Sequence, residues 1–226
     1  MTRQEFLRVL PEAIQGYQPS KDTLRKTSEL SLVMFVGPTG VGKTTLIKAS
    51  GYHYVPSDNS RLPRPGELEG VDFFFRQDYD QLLDDIKTGH FLQVAIDGSG
   101  DLKATRASSY PESGIVAMAI MWNVVPQFRN LGFKETFSTF IVPPSFEEWQ
   151  RRLAHQNLST EQLHKRQSEA KDSFIFGLAD PYVHLVLNDN VVAATSQIHR
   201  IVAGKIDRDR ESLARQAAKD ILNRLD

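Results

Sequence analysis

Apolar residues along this chain fall into two rhythms, and their alternation sets out the expected architecture. Leu32 to Val36, Ile115 to Met121, Phe137 to Val142 and Val183 to Leu187 are short continuous apolar runs of strand length, the pattern of strands buried on both faces. Around them lie segments with apolar residues three and four apart. Phe6, Leu7, Leu10 and Ile14 form one stripe of a helix over Thr2 to Ile14, closed by the turn-rich GYQPSKD. Thr44 to Ala49 reads as the start of another helix. Ser145, three residues before Glu148, has the spacing of a capping box and opens a helix whose Phe146, Trp149 and Leu153 share a face. Thr160 to Phe174 reads helical, and the tail places Ile206, Leu213, Ala217, Ile221 and Leu225 on one stripe of an amphipathic helix. Strands alternating with helices predict an α/β fold with a mostly parallel sheet.

One stretch breaks this rhythm. Residues about 51–112 carry turn chemistry and many aromatics and are too long for an ordinary crossover, which predicts an inserted substrate-binding subdomain. The expected organisation is a helical extension over residues 1–30, a main domain over 31–205 and the terminal helix over 206–226. Within the main domain, a helix pair joined by the polar stretch Gln156 to Ser159 has the character of a small mobile lid, at about 153–168.

Composition narrows the function classes. The 226 residues are 40% hydrophobic and 24% charged, values of a globular chain, and the formal net charge of −1 provides no global attraction to nucleic acid or to an anionic membrane. Anion binding must therefore come from a local site. With no cysteine, disulfides, thiolate catalysis and zinc-thiolate centres are excluded together, and the expected compartment is the cytoplasm. The 6 histidines stand at no metal-ligand spacing. No apolar run reaches membrane-spanning length. The pattern leaves the oligomeric state open.

The local site is legible directly after the first strand. Gly37, Pro38, Thr39, Gly40, Val41, Gly42, Lys43, Thr44 and Thr45 fill the pattern GxxxxGK(S/T) between a strand and a helix. Glycines let the backbone wrap a phosphate with N–H groups inward, and the helix presents its positive end. Lys43 reaches the outer phosphates of ATP, and the Thr44 hydroxyl is a candidate Mg²⁺ ligand.

Downstream, Ser57 to Phe75 reads SDNSRLPRPGELEGVDFFF. Arg61 and Arg64 are two guanidinium forks held close by the stiff Leu62-Pro63 link, suited to gripping a monophosphate; alternatively, they pair with Glu67 and Glu69. The segment resembles the acceptor-binding stretch of the guanylate kinase family, S-x-x-(S/T)-R-x-P-R-x-G-E-x-x-G-x-D-Y-x-F. The resemblance extends over residues 31–205 and implies a P-loop NTPase fold with an acceptor insert and a helical lid. It also implies transfer of the ATP γ-phosphate to a small phosphorylated acceptor, GMP by family default. Ser57, Arg61, Arg64 and Phe73 then face the acceptor phosphate, the last keeping the family's aromatic ring without its hydroxyl. Asn188, in the strand-end pair Asn188-Asp189, resembles the asparagine near the adenine of ATP. Arg166 matches a lid arginine, and Arg152 stands close to where an earlier one, replaced here by Gln156, is expected.

The resemblance stops at the base. In FLQVA, Gln93 occupies the place of the family's guanine-reading glutamate. An amide exchanges one acceptor for a donor, a loss of roughly 2–4 kcal/mol toward guanine, and its geometry suits an adenine-like edge. The next recognition element is DLKATR, with Thr105 as the candidate hydroxyl, and the later strand IVAMAIMWNVV lacks the family's Asp-x-Asp. Asp97 or Asp101 is a candidate replacement acid. Two alternatives stand beside the kinase: a nucleotide-binding protein of the same fold with little turnover, and an ATPase without an acceptor. A different nucleotide or a ribose bisphosphate is the alternative acceptor.

Overall fold

A computed structural model describes residues 1–64, 66–155 and 159–225. Its strands are β1 (Leu30–Val36), β2 (His53–Tyr54), β3 (Ser57–Asn59), β4 (Phe73–Phe75), β5 (Phe91–Ile96), β6 (Leu102–Arg106), β7 (Gly114–Ala119), β8 (Glu135–Val142) and β9 (Val183–Leu187). The helices are α1 (Arg3–Ala13), α2 (Lys21–Arg25), α3 (Lys43–Ser50), α4 (Tyr79–Lys87), α5 (Val125–Arg129), α6 (Phe146–Ala154), α7 (Thr160–Ala179), α8 (Val191–Val202) and α9 (Arg208–Asn223). They pack as two compact units. One comprises Met1–Ser31, Val55–Val116 and Pro126–Glu135; the other comprises Leu32–Tyr54, Ala117–Val125 and the chain from Thr136 onward.

The second unit is organised on a five-stranded sheet of order β2-β7-β1-β8-β9. Every residue of β1 is buried, as its unbroken apolar run predicts. β8 and β9 run parallel with Thr139 opposite His184 and Val142 opposite Leu187, and Thr139 Oγ1 donates to the Met34 carbonyl at 2.8 Å. Helix α7 approaches β8 closely at Gly177, where a Cβ would stand 2.7 Å from the Phe140 ring. The terminal helix turns a different face inward from the one its long apolar residues suggest. Ala214, Ala218 and Ile221 are buried in α9, whereas Leu213 is 57% exposed. Small residues allow close packing on β9 and α7, so fit decides the face where side-chain size alone misleads. Of the expected capping box on α6, half is present: Ser145 Oγ accepts from Glu148 N, while the Glu148 carboxylate binds Arg151 and Arg152. Those two guanidinium groups hold the Glu148 carboxyl down at about 2.

The first unit is built on a four-stranded sheet, β4-β3-β6-β5. β3 and β4 are parallel, whereas β6 runs antiparallel to both β3 and β5. Helices α1 and α4 cover one face, where Phe6, Leu10, Tyr79, Leu82, Ile86, Phe91, Val94, Leu102 and Ala104 form a continuous core. Phe6 stacks on Tyr79 with ring centroids 5.2 Å apart. The N-terminal helix is therefore part of the packing of this unit. The register of β5 slips between Phe91 and Gln93, and the Tyr17 hydroxyl serves the Phe91 backbone there, donating to its carbonyl at 2.5 Å and accepting from its N–H at 2.9 Å. Burial pushes the Tyr17 phenol up to about 12, despite the bond to the Phe91 backbone.

Beneath α4, Asp58 is fully buried and bonded by Arg76 and Arg106, and Arg106 also reaches Asp85 at 2.7 Å. Burial alone would raise the Asp85 carboxyl, but bonds from Arg106, His90 and Gln81 bring it below its ordinary value. Removing one member of such a network leaves an uncompensated buried charge.

Candidate functional site

In the second unit, the glycine-rich loop connects β1 to α3. Gly37, Gly40 and Gly42 have φ of 134°, 85° and 96°, all left-handed. At Gly42 the requirement is double, since a Cβ would overlap the Asn188 amide nitrogen. Lys43 Nζ donates to the carbonyls of Gly37 and Pro38 at 2.6 and 2.8 Å. Two further loop carbonyls are held from outside. Trp149 Nε1 donates to Thr39 O at 2.9 Å, and Asn188 Nδ2 donates to Val41 O at 2.7 Å. Arg152 extends this brace, reaching Val41 O at 3.4 Å and Asn188 O at 3.0 Å while its Nε binds Glu148. With the carbonyls of Gly37, Pro38, Thr39 and Val41 engaged, the loop offers an incoming anion its N–H groups and the first turn of α3, where Thr44 and Thr45 are exposed.

The geometry adds contacts to individual candidates. Asn188 is 4% exposed and its side chain is a strut for the loop. Trp149, read from its spacing as a core aromatic, is buried and also ties the loop to α6, a function that depends on a carbonyl 110 residues away in sequence. Arg166 pairs with Glu169 at 2.7 Å within α7. Gln156, at the position of the expected early lid arginine, lies outside the described residues. Among the described residues, no group of three or more His, Cys, Asp or Glu could hold a metal ion.

In the first unit, strand register gathers the acceptor candidates. Ser57 is opposite Phe73, and Gln93 is opposite Thr105. Because Asp58 faces Ala104, the alternation along β3 and β6 puts Ser57 and Thr105 on the same face. All four side chains thus stand in one row across the sheet, opposite the face that carries α1 and α4.

Arg61 lies over this row, its Cζ 5.2 and 5.3 Å from the Phe73 and Phe75 ring centroids. Its guanidinium binds Glu67 through two bonds of 2.6 Å, and the Arg64 N–H donates to Glu67 at 2.7 Å. Glu67 therefore organises both arginine positions, whereas Glu69 accepts from Phe75 N. Burial opposes ionisation of Glu67, but Arg61 and Arg64 outweigh it and lower its titration below the usual value. Three of the Arg61 hydrogens are used on Glu67 and Leu62 O, which leaves its Nε–H and a hydrogen on Nη2 for a ligand.

Gln93 and Thr105 are less available than their spacing suggests. Gln93 is 6% exposed, and its Nε2 donates to Val94 O at 2.7 Å and to Gln127 Oε1 at 3.3 Å. Both amide hydrogens are spent within the protein, so the group offers a base a single acceptor, Oε1. This removes the donor on which an adenine-like match depends. Thr105 Oγ1 is bonded to the buried Tyr110 hydroxyl at 3.1 Å. The candidate replacement acids are structural: Asp101 is 2% exposed and takes two bonds from Arg3 and one from Ser60, and Asp97 Oδ1 accepts from Ser99 N and Asp101 N.

A braced phosphate loop between a buried strand and a helix defines a P-loop α/β protein, and Arg61 stands over a separate sheet face. The family model described as guanylate kinase matches residues 29–205. A guanylate kinase of Trichormus variabilis is 31% identical over 202 residues, covering 84% of this chain and 98% of that protein. One of Bacillus subtilis is 30% identical over 188 residues, covering 79% and 91%. The crystal structure of guanylate kinase from Anaplasma phagocytophilum superposes with a TM-score of 0.56 at 22% identity, covering 82% of this chain and 90% of that one. The chain belongs to the guanylate kinase family, a family of ATP-dependent nucleoside monophosphate kinases.

Proposed function

We propose that this protein transfers the γ-phosphate of ATP to a nucleoside monophosphate, with GMP as the first acceptor to test. The observation that carries this reading is the coexistence in one chain of an intact phosphate loop and a separate sheet face on which Ser57 and Phe73 are register partners with Arg61 over the Phe73 ring. An enzyme that only hydrolysed ATP would have no use for the second surface.

In the reaction, an oxygen of the acceptor phosphate attacks the γ-phosphorus. The bond from that phosphorus to the β,γ-bridging oxygen breaks, its electron pair leaves with ADP, and the acceptor becomes a diphosphate. The loop N–H groups and Lys43 hold the triphosphate, while Arg152 keeps the loop in shape through Val41 and Asn188. Arg61 and Arg64 grip the acceptor phosphate, and Arg166 supplies a positive charge from α7. The exposed Thr44 hydroxyl at the start of α3 suits Mg²⁺, which is commonly held by few protein ligands plus waters and substrate phosphates. Bound there, Mg²⁺ would neutralise charge on the triphosphate.

Gln93 favours a second reading for the base, because one acceptor replaces the carboxylate that guanine's paired donors call for. The test is ADP release from Mg-ATP with GMP, AMP, CMP, UMP and ribose 5-phosphate in turn. Acceptor-dependent ADP supports phosphotransfer and identifies the base. Tight ATP binding without turnover on any acceptor would establish a nucleotide-binding protein instead.

A further inference from the structure

Asn188 holds the Val41 carbonyl of the phosphate loop through Nδ2 at 2.7 Å, so whatever fixes residue 188 also fixes the loop. Its own backbone is anchored at two points. Asn188 N donates to Val142 O at 2.7 Å, at the end of β8, and Arg152 Nη2 reaches Asn188 O at 3.0 Å. The residues on either side of Asn188 are gripped by a further element, the terminal helix α9. From its first turn Arg210 Nη2 donates to Leu187 O at 3.0 Å and to Asp189 Oδ1 at 2.6 Å, spanning residue 188 with a single nitrogen. A continuous path of bonds thus leads from α9 to the carbonyl of Val41.

The place of Arg210 is itself well determined. Asp207 caps α9 by accepting from Arg210 N at 3.2 Å, and the buried Ala214, Ala218 and Ile221 seat the helix. The Arg210 Nε–H is buried with no partner among the described residues. An unpaired buried donor is costly, and the two bonds from Nη2, one of them to a charged acceptor, offset that cost. At the other end of α9, Arg224 pairs with Glu147 and lies over the Phe146 ring on α6. Both of those charged side chains are more than half exposed, where such a pair contributes little. The coupling to the loop therefore runs through Arg210.

We infer that Arg210 is a positioning residue of the nucleotide site: it holds Asn188 where that side chain braces Val41, and so keeps the loop N–H groups arranged for the triphosphate. The inference rests on the reading that this loop binds ATP, and it extends that site to a helix beyond residues 29–205, the span matched to the family. It also separates two arginines of one helix. Arg215 Nη1 donates to Leu178 O at 3.1 Å, a docking bond of the same kind that leads to α7 and not to residue 188.

The experiment is calorimetric titration of ATP into the wild type, Arg210→Met, Arg210→Lys, Asp189→Asn and Arg215→Met below every melting transition, with KM and kcat measured wherever turnover is seen. Arg210→Met should weaken ATP about tenfold, with the loss in ATP KM and kcat held within about twofold. Arg210→Lys should retain most of the affinity, because the bonds to Leu187 O and Asp189 come from one nitrogen, which an ammonium can replace. Asp189→Asn leaves the bond to Leu187 O and should weaken ATP less, by about threefold. Arg215→Met should melt lower and bind ATP as the wild type does. Unchanged ATP affinity in Arg210→Met, or in Asp189→Asn should Arg210→Met not fold, overturns the inference and leaves ATP binding intact; equal weakening by Arg215→Met does the same. No ATP binding by the wild type overturns the reading of the loop, and the inference with it.

Discussion

Gln93→Glu restores the carboxylate expected at the base-reading position, and the structure gives both its gain and its cost. Toward guanine, exchanging amide for carboxylate recovers roughly 2–4 kcal/mol, because two adjacent donors then meet a charged acceptor. Within the protein, the change breaks the 2.7 Å bond from Nε2 to Val94 O and turns an oxygen toward that carbonyl. Gln127 can rotate its amide to donate to the new carboxylate, but Val94 O cannot. The resulting penalty is about 1–2 kcal/mol. Guanine holds the carboxylate in place beside Val94, so the penalty persists in the complex and subtracts from the gain. The net expectation is about 1–2 kcal/mol in favour of GMP, or roughly a 5- to 30-fold rise in the GMP-to-AMP ratio of kcat/KM. The variant should also melt lower, by about 2–8 °C for a chain of this size, and GMP should restore more of that loss than AMP. ADP release with both acceptors, run beside thermal melts, measures all of these. A folded variant whose GMP-to-AMP ratio moves less than twofold would refute the placement of Gln93 at the base.

Lys43→Met should lower kcat by about 100-fold or more with little change in melting temperature, because it removes the cation that meets the triphosphate and leaves the Trp149 and Asn188 braces in place. Arg106→Met exposes Asp58 and Asp85 to burial without their shared partner and should destabilise the protein by about 3–5 kcal/mol in urea titration, unless Arg76 moves to cover both. The Tyr17 phenol titrates from about 10 in the unfolded chain to about 12 in the folded one, so its contribution is complete below pH 10 and is lost as pH rises toward 12. Tyr17→Phe should melt lower at neutral pH by roughly 2–4 °C per kcal/mol lost and should lack that alkaline step in a series of melts; an unchanged step would assign it to another group.

The extent of sequence legibility differs between the two surfaces. The phosphate loop was readable almost completely, since its chemistry lies in nine consecutive residues and its glycines are demanded by local backbone shape, as the left-handed φ at Gly42 illustrates. The strands β1 and β9 were readable for a similar reason: burial on both faces writes itself as an uninterrupted apolar run. The acceptor face was readable only as candidates, because Ser57, Phe73, Gln93 and Thr105 come from four separate strands.

Tertiary structure alone decided what those side chains have left to offer. The Val94 carbonyl and the Gln127 side chain took both Gln93 hydrogens, and Glu67 proved to be the organiser of Arg61 and Arg64. The fold alone left Asn59 Nδ2 without a partner. Residue type and local spacing fix which groups a chain can present, and so the sequence determined that this protein carries an ATP-type phosphate loop. Which hydrogen bonds remain unmade depends on the folded neighbours of each group, and so only the folded structure determined which donors the sheet face of Ser57 and Phe73 leaves open.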